Sequence, residues 1–558
     1  MEELIRELKE LIQELEELKN KYAELEEKNS GLELERQKLE KKVAYYEECL
    51  RLSRHRQYAS SSEKSEADSR QLLLFDEAEN ESDVKKPEPT VCEITYTRRS
   101  RKGGSKPEDD FEDLPTERVE YTLSEEDQSC PECGGKMHLI GYDERREIEI
   151  IPASVKIVVH AQGIYGCRRC ERENTHVPIK KADVPAPVIK GSAASASSIA
   201  HIMTQKYMQG VPLYRQELSF MKEGIKLSRQ TMANWLLRAG KEWLYPLYNE
   251  MRRKLLEEEI LHADETEIQV LREPGRASRT KSYMWLYRTG KYSAYPVVLF
   301  QYQETRSSSH PIKFLNGFRG CLHTDGYAGY GRLGAEIRRC GCWAHVRRKF
   351  HEGIQAVPQE EQPTCASQKG LEYCDRLFAL ERDYAKLTPE ERRVKRLEQS
   401  KAVTDAFFAW VSNTPALPKS ALGRALHYAL EQRPLLETFY LDGRLEISNN
   451  MAERSIKPFV IGRKNWLFSC SPKGAETSAV IYSIIETAKE NHLKPYEYLK
   501  YILENMPNTA PELYHTILPW SKELPCHCKL KEQTDSMAGD NDESCDHASD
   551  AGVNDSAE

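Results

Sequence analysis

Apolar residues along the first fifty positions recur every seven. Leu4, Leu11, Leu18, Leu25, Leu32, Leu39 and Tyr46 hold one position of the repeat. Leu8, Leu15, Tyr22, Asn29, Arg36, Val43 and Leu50 lie four residues after each. These are the d and a positions of a coiled coil. A stripe two positions in seven wide is too narrow for a helix laid on a globular body. The pattern therefore predicts a coiled coil over 1–57 that pairs two or more copies of the chain. Asn29 and Arg36 break the a seam, and a buried Asn there favours one register and a parallel dimer.

Periodicity is lost over 58–110, where SSSEKSEADS and ENESDVKKPEP read as a flexible linker. Leu72 to Phe75 form an apolar island suited to docking. Arg98, Arg99, Arg101, Lys102 and Lys106 make a basic cluster suited to phosphate contact, balanced by the acidic EDDFED that follows. Within 111–185, EIEIIPASVKIVVH reads as β-strands around a turn. From 186 to 250 the pattern is helical. PLYRQELSFMKEGIKLSRQTMANWLLRAG gives a helix, a turn at Gly224 and a second helix capped by Ser228. The spacing suits a helix-turn-helix, with Arg229, Gln230 and Asn234 facing a DNA groove; an ordinary helical hairpin has the same pattern.

From 258 the period becomes that of strands. EILHADETEIQVL alternates around Asp264, and SYMWLYRT and AYPVVLFQY follow as two further strands. KFLNGF reads as a short helix. GCLHTDGYAGY reads as a fourth strand ending at Asp325 in a Gly-rich turn. Residues 344–440 are charged and helical. LEISNNMAERSIKPFVIGRKNWLF then starts a helix with Glu453 near its beginning and Asn449 or Asn450 as its cap.

Composition narrows the class. The chain has 558 residues, 39% hydrophobic and 30% charged, enough for several domains. No run of 18 apolar residues occurs, so no membrane-spanning helix is expected. The acidic, amphipathic start MEELIRELKE does not fit a secretory signal, which points to the cytoplasm. The net charge of −8 is segregated. Residues 1–50 carry −6, and the tail 531–558, expected to be disordered, carries −8. The span between holds 71 basic and 65 acidic residues, a net of +6 that permits a nucleic-acid partner.

Fifteen cysteines without a secretory signal favour metal ligation over disulfides. Cys130 and Cys133, and Cys167 and Cys170, are two C-x-x-C knuckles separated by 33 residues. Each turn aims two thiolates at one ion. Together they fill the tetrahedral shell of one structural Zn²⁺.

Two strand-borne aspartates, Asp264 and Asp325, and the helix-borne Glu453 can meet in space. Converging carboxylates raise one another's pKa, and hard divalent cations such as Mg²⁺ relieve that repulsion. Two such ions suit phosphodiester chemistry.

The chain resembles the transposases of the insertion sequence 66 family, DDE-type enzymes with an RNase H-like core. The resemblance rests on HADET (262–266), TDGYAGY (324–330), CWAHVRRKF (342–350), NNMAERSIKPFVIGRKNWLF (449–468) and IYSIIETAKENHLKPYEYL (481–499). The N-terminal heptads, SSEK with LLLFDEAE, CPECGG and KYMQGVPLYRQE match in order, so it runs to about residue 520.

It implies a multidomain α+β protein. A coiled coil (1–57) and linker (58–110) precede a zinc-ribbon-like β module (111–185) and a helical DNA-binding segment (186–250). An RNase H-like α/β core (251–480) with an all-helical insertion (344–440), a helical C-terminal segment (481–530) and the tail (531–558) follow. Asp264, Asp325 and Glu453 would be the catalytic triad holding two Mg²⁺ or Mn²⁺. The chain would bind terminal inverted repeats, cleave at the transposon end, and join the freed 3′-OH to target DNA. It would work on the bacterial nucleoid as a homodimer or higher oligomer, with accessory proteins of the element as further partners. Lys457, Arg463 and Lys464 would suit phosphate contacts; pairing with Glu453 is the plainer role for Lys457.

Cys342 and His345 form a C-x-x-H. A packing role or a hydrogen bond that orients the site is preferred, since two ligands do not fill a zinc shell, although Cys340 adds a third sulfur. His262 and His323, each two residues before an aspartate, would support the site or simply be buried. Two other functions fit the same chain: a catalytically silent dimeric zinc DNA-binding repressor, against which the intact acids argue, and a nuclease that cuts without joining.

Overall fold

A computed structural model of the protein describes residues 2–58, 155–166 and 179–530. The chain divides into two compact units, one of residues 60–183 and one of 1–59 with 184–558. In the first, β1 (Ile164–Gly166) and β2 (Ile179–Lys181) pair antiparallel, Tyr165 opposite Lys180. Cys130, Cys133, Cys167 and Cys170 lie outside the described residues, as do the basic cluster at 98–106, the apolar island at 72–75 and the tail.

The larger unit is multidomain in its sequence and α+β in its build, with a helical N-terminus, a sheet core and a helical C-terminus. It opens on α1 (Glu2–Tyr58), one unbroken helix. Its heptad residues Leu18, Leu25, Leu32, Leu39 and Tyr46 are all more than half exposed in the single chain. Among the described residues, the last turns of α1 are held. Leu52 is buried with Ala356 and Ala421, the Arg51 Nε donates to the Ala356 carbonyl at 2.6 Å, and the Ala421 amide donates to Glu48.

The helices α2 (Ala196–Tyr207), α3 (Leu213–Lys222), α4 (Arg229–Ala239) and α5 (Tyr245–Leu256) follow. Gly224 takes a φ of +80° between α3 and α4, a conformation that favours glycine. Ser228 caps α4 by accepting from the Thr231 amide at 3.1 Å, as the sequence predicts. The apolar faces of these helices, including Met203, Met232, Leu236 and Met251, share one continuous core with the sheet.

That sheet contains β3 (Ile260–Gln269), β4 (Lys281–Thr289), β5 (Val298–Gln303), β6 (Gly320–His323) and β7 (Ile337–Cys340), in the order β5-β4-β3-β6-β7. β3, β4 and β5 are antiparallel, while β6 runs parallel to β3 and β7 parallel to β6. β7 was not legible in the sequence, because two of the four residues in IRRC are arginines. The helix α6 (Ser309–Phe314) sits slightly earlier than KFLNGF suggests, since Gly317 turns the chain at a φ of +93°.

β5 is an outer strand whose unpaired backbone groups are covered rather than left for another chain. The Val298 amide donates to Thr487 Oγ1 and the Thr487 hydroxyl donates to the Val298 carbonyl, both at 3.0 Å. The Phe300 amide donates to Ser483 Oγ at 2.7 Å, and the Tyr248 hydroxyl donates to the Phe300 carbonyl at 3.1 Å. Thr487 and Ser483 belong to α13 (Pro472–Glu490), which lies along this edge, and α14 (Pro495–Asn505) packs behind it.

Between β7 and the helix carrying Glu453, the chain forms α7 (Trp343–Gln355), α8 (Ala366–Asp383), α9 (Pro389–Lys395), α10 (Lys401–Asn413) and α11 (Ala421–Leu436). Of these, α7, α8, α10 and α11 build a second core around Trp343, Phe350, Phe407 and Phe408. The Trp343 indole donates to the Leu436 carbonyl at 3.0 Å, so its buried N–H is satisfied. The chain then enters α12 (Asn450–Trp466). Among the described residues, no helix is long and apolar enough to cross a membrane.

Thr487→Val keeps the volume but strands the Val298 amide and carbonyl. Each unsatisfied buried group costs about 1–3 kcal/mol. Calorimetry should show a lower unfolding temperature than for the parent protein, and an unchanged value would remove this clasp from the fold's supports.

Candidate active site

The parallel register sets up the site. His262 on β3 stands opposite His323 on β6, and Asp264 and Asp325 each lie two residues beyond one member of that facing pair. Adjacent strands are about 4.8 Å apart. Asp325 lies two residues past β6, where its Oδ1 accepts from the Tyr327 amide at 2.9 Å. Glu453, in the first turn of α12, is the third acid.

The three carboxylates act on one another. Asp264 is held well above the usual carboxylate range, first by burial and next by the neighbouring Glu265, with Glu453 and Asp325 adding to the effect. The hydrogen bond from the Glu265 amide to Asp264 Oδ1, at 2.8 Å, offsets this only in part. The donor set suits a hard divalent cation: carboxylate oxygens come from three elements, and among the described residues no cation pairs with Asp264. Glu453 Oε1 is buried with no hydrogen-bond partner, as expected of an oxygen that takes an ion.

A layer of residues that sequence reasoning missed supports the acids. The buried Glu265 accepts from the Tyr330 hydroxyl at 2.6 Å and from Arg306 Nε at 2.8 Å. Burial raises the Glu265 pKa, Asp325 adds to it, and these donors oppose the rise. Arg306 also approaches Asp325 at 3.8 Å and lies over the Tyr327 ring, 3.8 Å from its centroid. Arg348 donates to Glu453 Oε2 at 3.2 Å. Some signals were available: Tyr327 and Tyr330 lie in TDGYAGY, and Arg348 follows His345 at helical spacing. Arg306 stands in a loop between β5 and α6, where no pattern marks it.

Cys342 and His345 also come to this place. Cys342 precedes α7, and its Sγ accepts from the Asn449 amide at 3.2 Å. Burial pushes its thiol up to about 11. The His345 Nε2 stands 3.8 Å from Glu453 Oε1, and burial lowers the His345 pKa. The third sulfur anticipated from the sequence, Cys340, instead lies against Cys321 and Thr438.

Asn449 is the residue before α12, but its side chain does not cap the helix. It crosses to β3, where Nδ2 donates to the Ala263 carbonyl at 2.8 Å and Oδ1 meets His262 Nδ1 at 3.0 Å. Burial holds the His262 pKa down at about 3, so that ring is neutral. It stacks on the buried His323 with centroids 4.4 Å apart.

The basic residues anticipated as DNA contacts fall in two places. Lys457 and Lys464 are exposed on α12, and Arg463 Nη1 reaches Thr266 Oγ1 at 3.4 Å, two residues beyond Asp264. Gln230 and Asn234 are exposed on α4. Arg229, also exposed, pairs with Glu217 at 3.8 Å. Such an exposed pair is worth about 0–1 kcal/mol, so phosphate can displace it.

Four family models match the chain. The model described as Transposase IS66 family matches residues 191–477. The zinc-finger binding domain of transposase IS66 matches 127–171, a span that contains all four knuckle cysteines. The IS66 C-terminal element matches 483–520, and Transposase C of IS166 homeodomain matches 45–119. The chain is also similar to two uncharacterized proteins of Sinorhizobium fredii (strain NBRC 101917 / NGR234). It is 30% identical to y4qI over 423 residues, covering 73% of this chain and 76% of y4qI. It is 30% identical to y4jD over 420 residues, covering 72% of this chain and 80% of y4jD.

The raised Asp264 carboxyl has a consequence for stability. A carboxyl whose pKa is higher folded than unfolded stabilises the fold at low pH, and that stability is lost as pH rises through the folded value. The metal-free protein should therefore be strained at neutral pH. Asp264→Asn, which cannot ionise, should raise its unfolding temperature at neutral pH. The gain should shrink as the pH is lowered. A melting series across pH with no such trend would contradict the placement of this carboxyl.

Proposed function

The chain belongs to the IS66 transposase family, and on that premise we propose that it binds the terminal inverted repeats of an insertion sequence, cuts at the element's ends and joins them to target DNA. Asp264, Asp325 and Glu453 are the proposed catalytic acids. The observation that carries the reading is the approach of these acids from β3, the end of β6 and the first turn of α12, with Asp264 held above the usual carboxylate range first by burial and then by its acidic neighbours. The strand order β5-β4-β3-β6-β7, with three antiparallel strands followed by two parallel ones, supports an RNase H-like core over 251–480. The second hydrophobic core supports a helical insertion at about 344–440.

The three acids would hold two Mg²⁺ or Mn²⁺, which when bound supply charge neutralisation and activation of the attacking oxygen. The protein's own groups do the rest. Arg348 fixes one Glu453 oxygen and leaves the other free for an ion. Arg306 and Tyr330 hold Glu265 so that its charge is matched beside Asp264. Lys457, Arg463 and Lys464 on α12 offer cationic contacts that seat the DNA backbone along the acids. Water attacks the scissile phosphodiester, the phosphorus–oxygen bond to the 3′ side breaks, and the transposon 3′-OH is freed. That hydroxyl then attacks a target phosphodiester, and the target's own 3′ oxygen leaves. No covalent enzyme intermediate is needed.

The remaining parts follow the same reading. Cys130, Cys133, Cys167 and Cys170 bind one structural Zn²⁺ in the family's zinc-finger domain. That module and α2 to α4, with Arg229, Gln230 and Asn234 outward, bind the terminal repeats. The exposed heptad stripe of α1 pairs chains, so that two ends are held together. Accessory proteins of the element act with the assembly on the nucleoid.

The test is a strand-transfer assay with labelled oligonucleotides bearing the element's own ends, Mg²⁺ and a target plasmid. Cleavage and joining are expected with the parent protein. Asp264→Ala, Asp325→Ala and Glu453→Ala should each lose both while still binding ends. Cutting without joining would favour a nuclease, and end binding without cutting, even with accessory proteins added, a repressor. In sedimentation the full chain should run as a dimer or higher oligomer, and removal of residues 1–50 should reduce it. A full chain that stays monomeric would refute pairing through α1.

A further inference from the structure

Cys342, His345 and Glu453 form a donor set that no hard-ion chemistry requires. Cys342 and His345 flank the start of α7, and their spacing of three puts both on one side of its first turn. Glu453 reaches them from the first turn of α12. One donor atom from each residue lies within 4.8 Å of the other two. Ligands around a tetrahedral zinc ion sit roughly 3.4–3.8 Å apart, so small side-chain rotations close the set.

Two features point to a ligand rather than to packing alone. His345 Nδ1 and Glu453 Oε1 are both buried without a hydrogen-bond partner. The donors also mix sulfur, nitrogen and oxygen, which Mg²⁺ does not select and zinc-class ions do. Cys340 plays no part, because its sulfur lies against Cys321 and Thr438.

We propose that Cys342, His345 and Glu453 form a second transition-metal site, for a zinc-class divalent ion, that is open at its fourth position and shares Glu453 with the catalytic acids. It uses none of the knuckle cysteines, and it makes Glu453 a switch point. An ion held by sulfur and imidazole draws this carboxylate away from Asp264 and Asp325. Zinc in excess therefore inhibits Mg²⁺-supported cleavage, a consequence that rests on the function proposed above.

The test is cobalt spectroscopy on the full-length protein dialysed against a weak chelator, which strips the three-ligand site and leaves the four-thiolate zinc in place. Added Co²⁺ should produce a sulfur-to-cobalt charge-transfer band and the visible bands of a tetrahedral site. Cys342→Ser should lose the charge-transfer band, and His345→Gln should weaken binding and alter the visible bands. Cys130→Ser should keep both features of this site. Co²⁺ spectra of Cys342→Ser and His345→Gln that superimpose on the parent's would overturn the proposal, as would bands that vanish only in Cys130→Ser. The readout needs neither DNA nor cleavage. An inactive protein with a Cys342-dependent cobalt band would keep this site and remove only the transposition reading.

Discussion

The site depends on one buried amide. Asn449 joins three stretches of chain that are far apart in sequence: its side chain bonds Ala263 and His262 on β3, its backbone amide bonds the Cys342 sulfur, and α12 starts at the next residue. Asp264 follows Ala263 directly, His345 follows Cys342 by three, and Glu453 follows Asn449 by four. Asp264, His345 and Glu453 are therefore each placed by a neighbour that Asn449 holds, while Asp325 is carried by β6. The amide sits at 1% exposure, where an unmade hydrogen bond is expensive, so only an arrangement that satisfies both its ends is stable. This is a reason for the geometry to be unique, beyond the shape of the hydrophobic core.

Against that clasp works the repulsion of the acids. Asp264 is buried beside Glu265 and faces Glu453 and Asp325, and the protein answers with only a few cations. Arg306 is committed chiefly to Glu265, and Arg348 to one oxygen of Glu453. The rest of the negative charge is left unmatched, a poised state suited to ion binding and costly to the empty protein. The two histidines beneath respond to the same environment in the opposite sense. Burial keeps His262 and His323 neutral, so they support the strands as flat, stacked rings and add no charge.

The rest of the larger unit secures these positions from outside. α13 closes the outer edge of β5 through two hydroxyls, which stiffens the sheet on the side away from the helical insertion. The insertion has a core of its own, and α7 carries Cys342, His345 and Arg348 from that core to the acids. The last turns of α1 rest on Ala356, just past the end of α7, and on Ala421. The long helix is thus tied to the same body that positions Glu453's partners.

Much was legible in the sequence because it is local. The heptads of α1, the cap at Ser228, the turn at Gly224 and the alternation around Asp264 each follow from the period and chemistry of neighbouring residues. An acid on a strand, one just past a strand and one at a helix start also made Asp264, Asp325 and Glu453 legible as candidates. What failed was of two kinds. β7 was missed because a short strand with two arginines carries no apolar period, and it is a strand only because β6 is there to pair with. Asn449 or Asn450 reads as the cap of α12 because capping is the local use of an Asn at that place, but the Asn449 side chain instead bonds a buried backbone carbonyl and a histidine across the sheet. Arg306, Glu265 and Arg348 have roles set by which loops and helices meet around the acids. The sequence by itself determined the elements and the chemical groups they carry. The tertiary structure alone decided which of those groups share a buried space, because hydrogen bonding and charge there depend on distance in space and not along the chain.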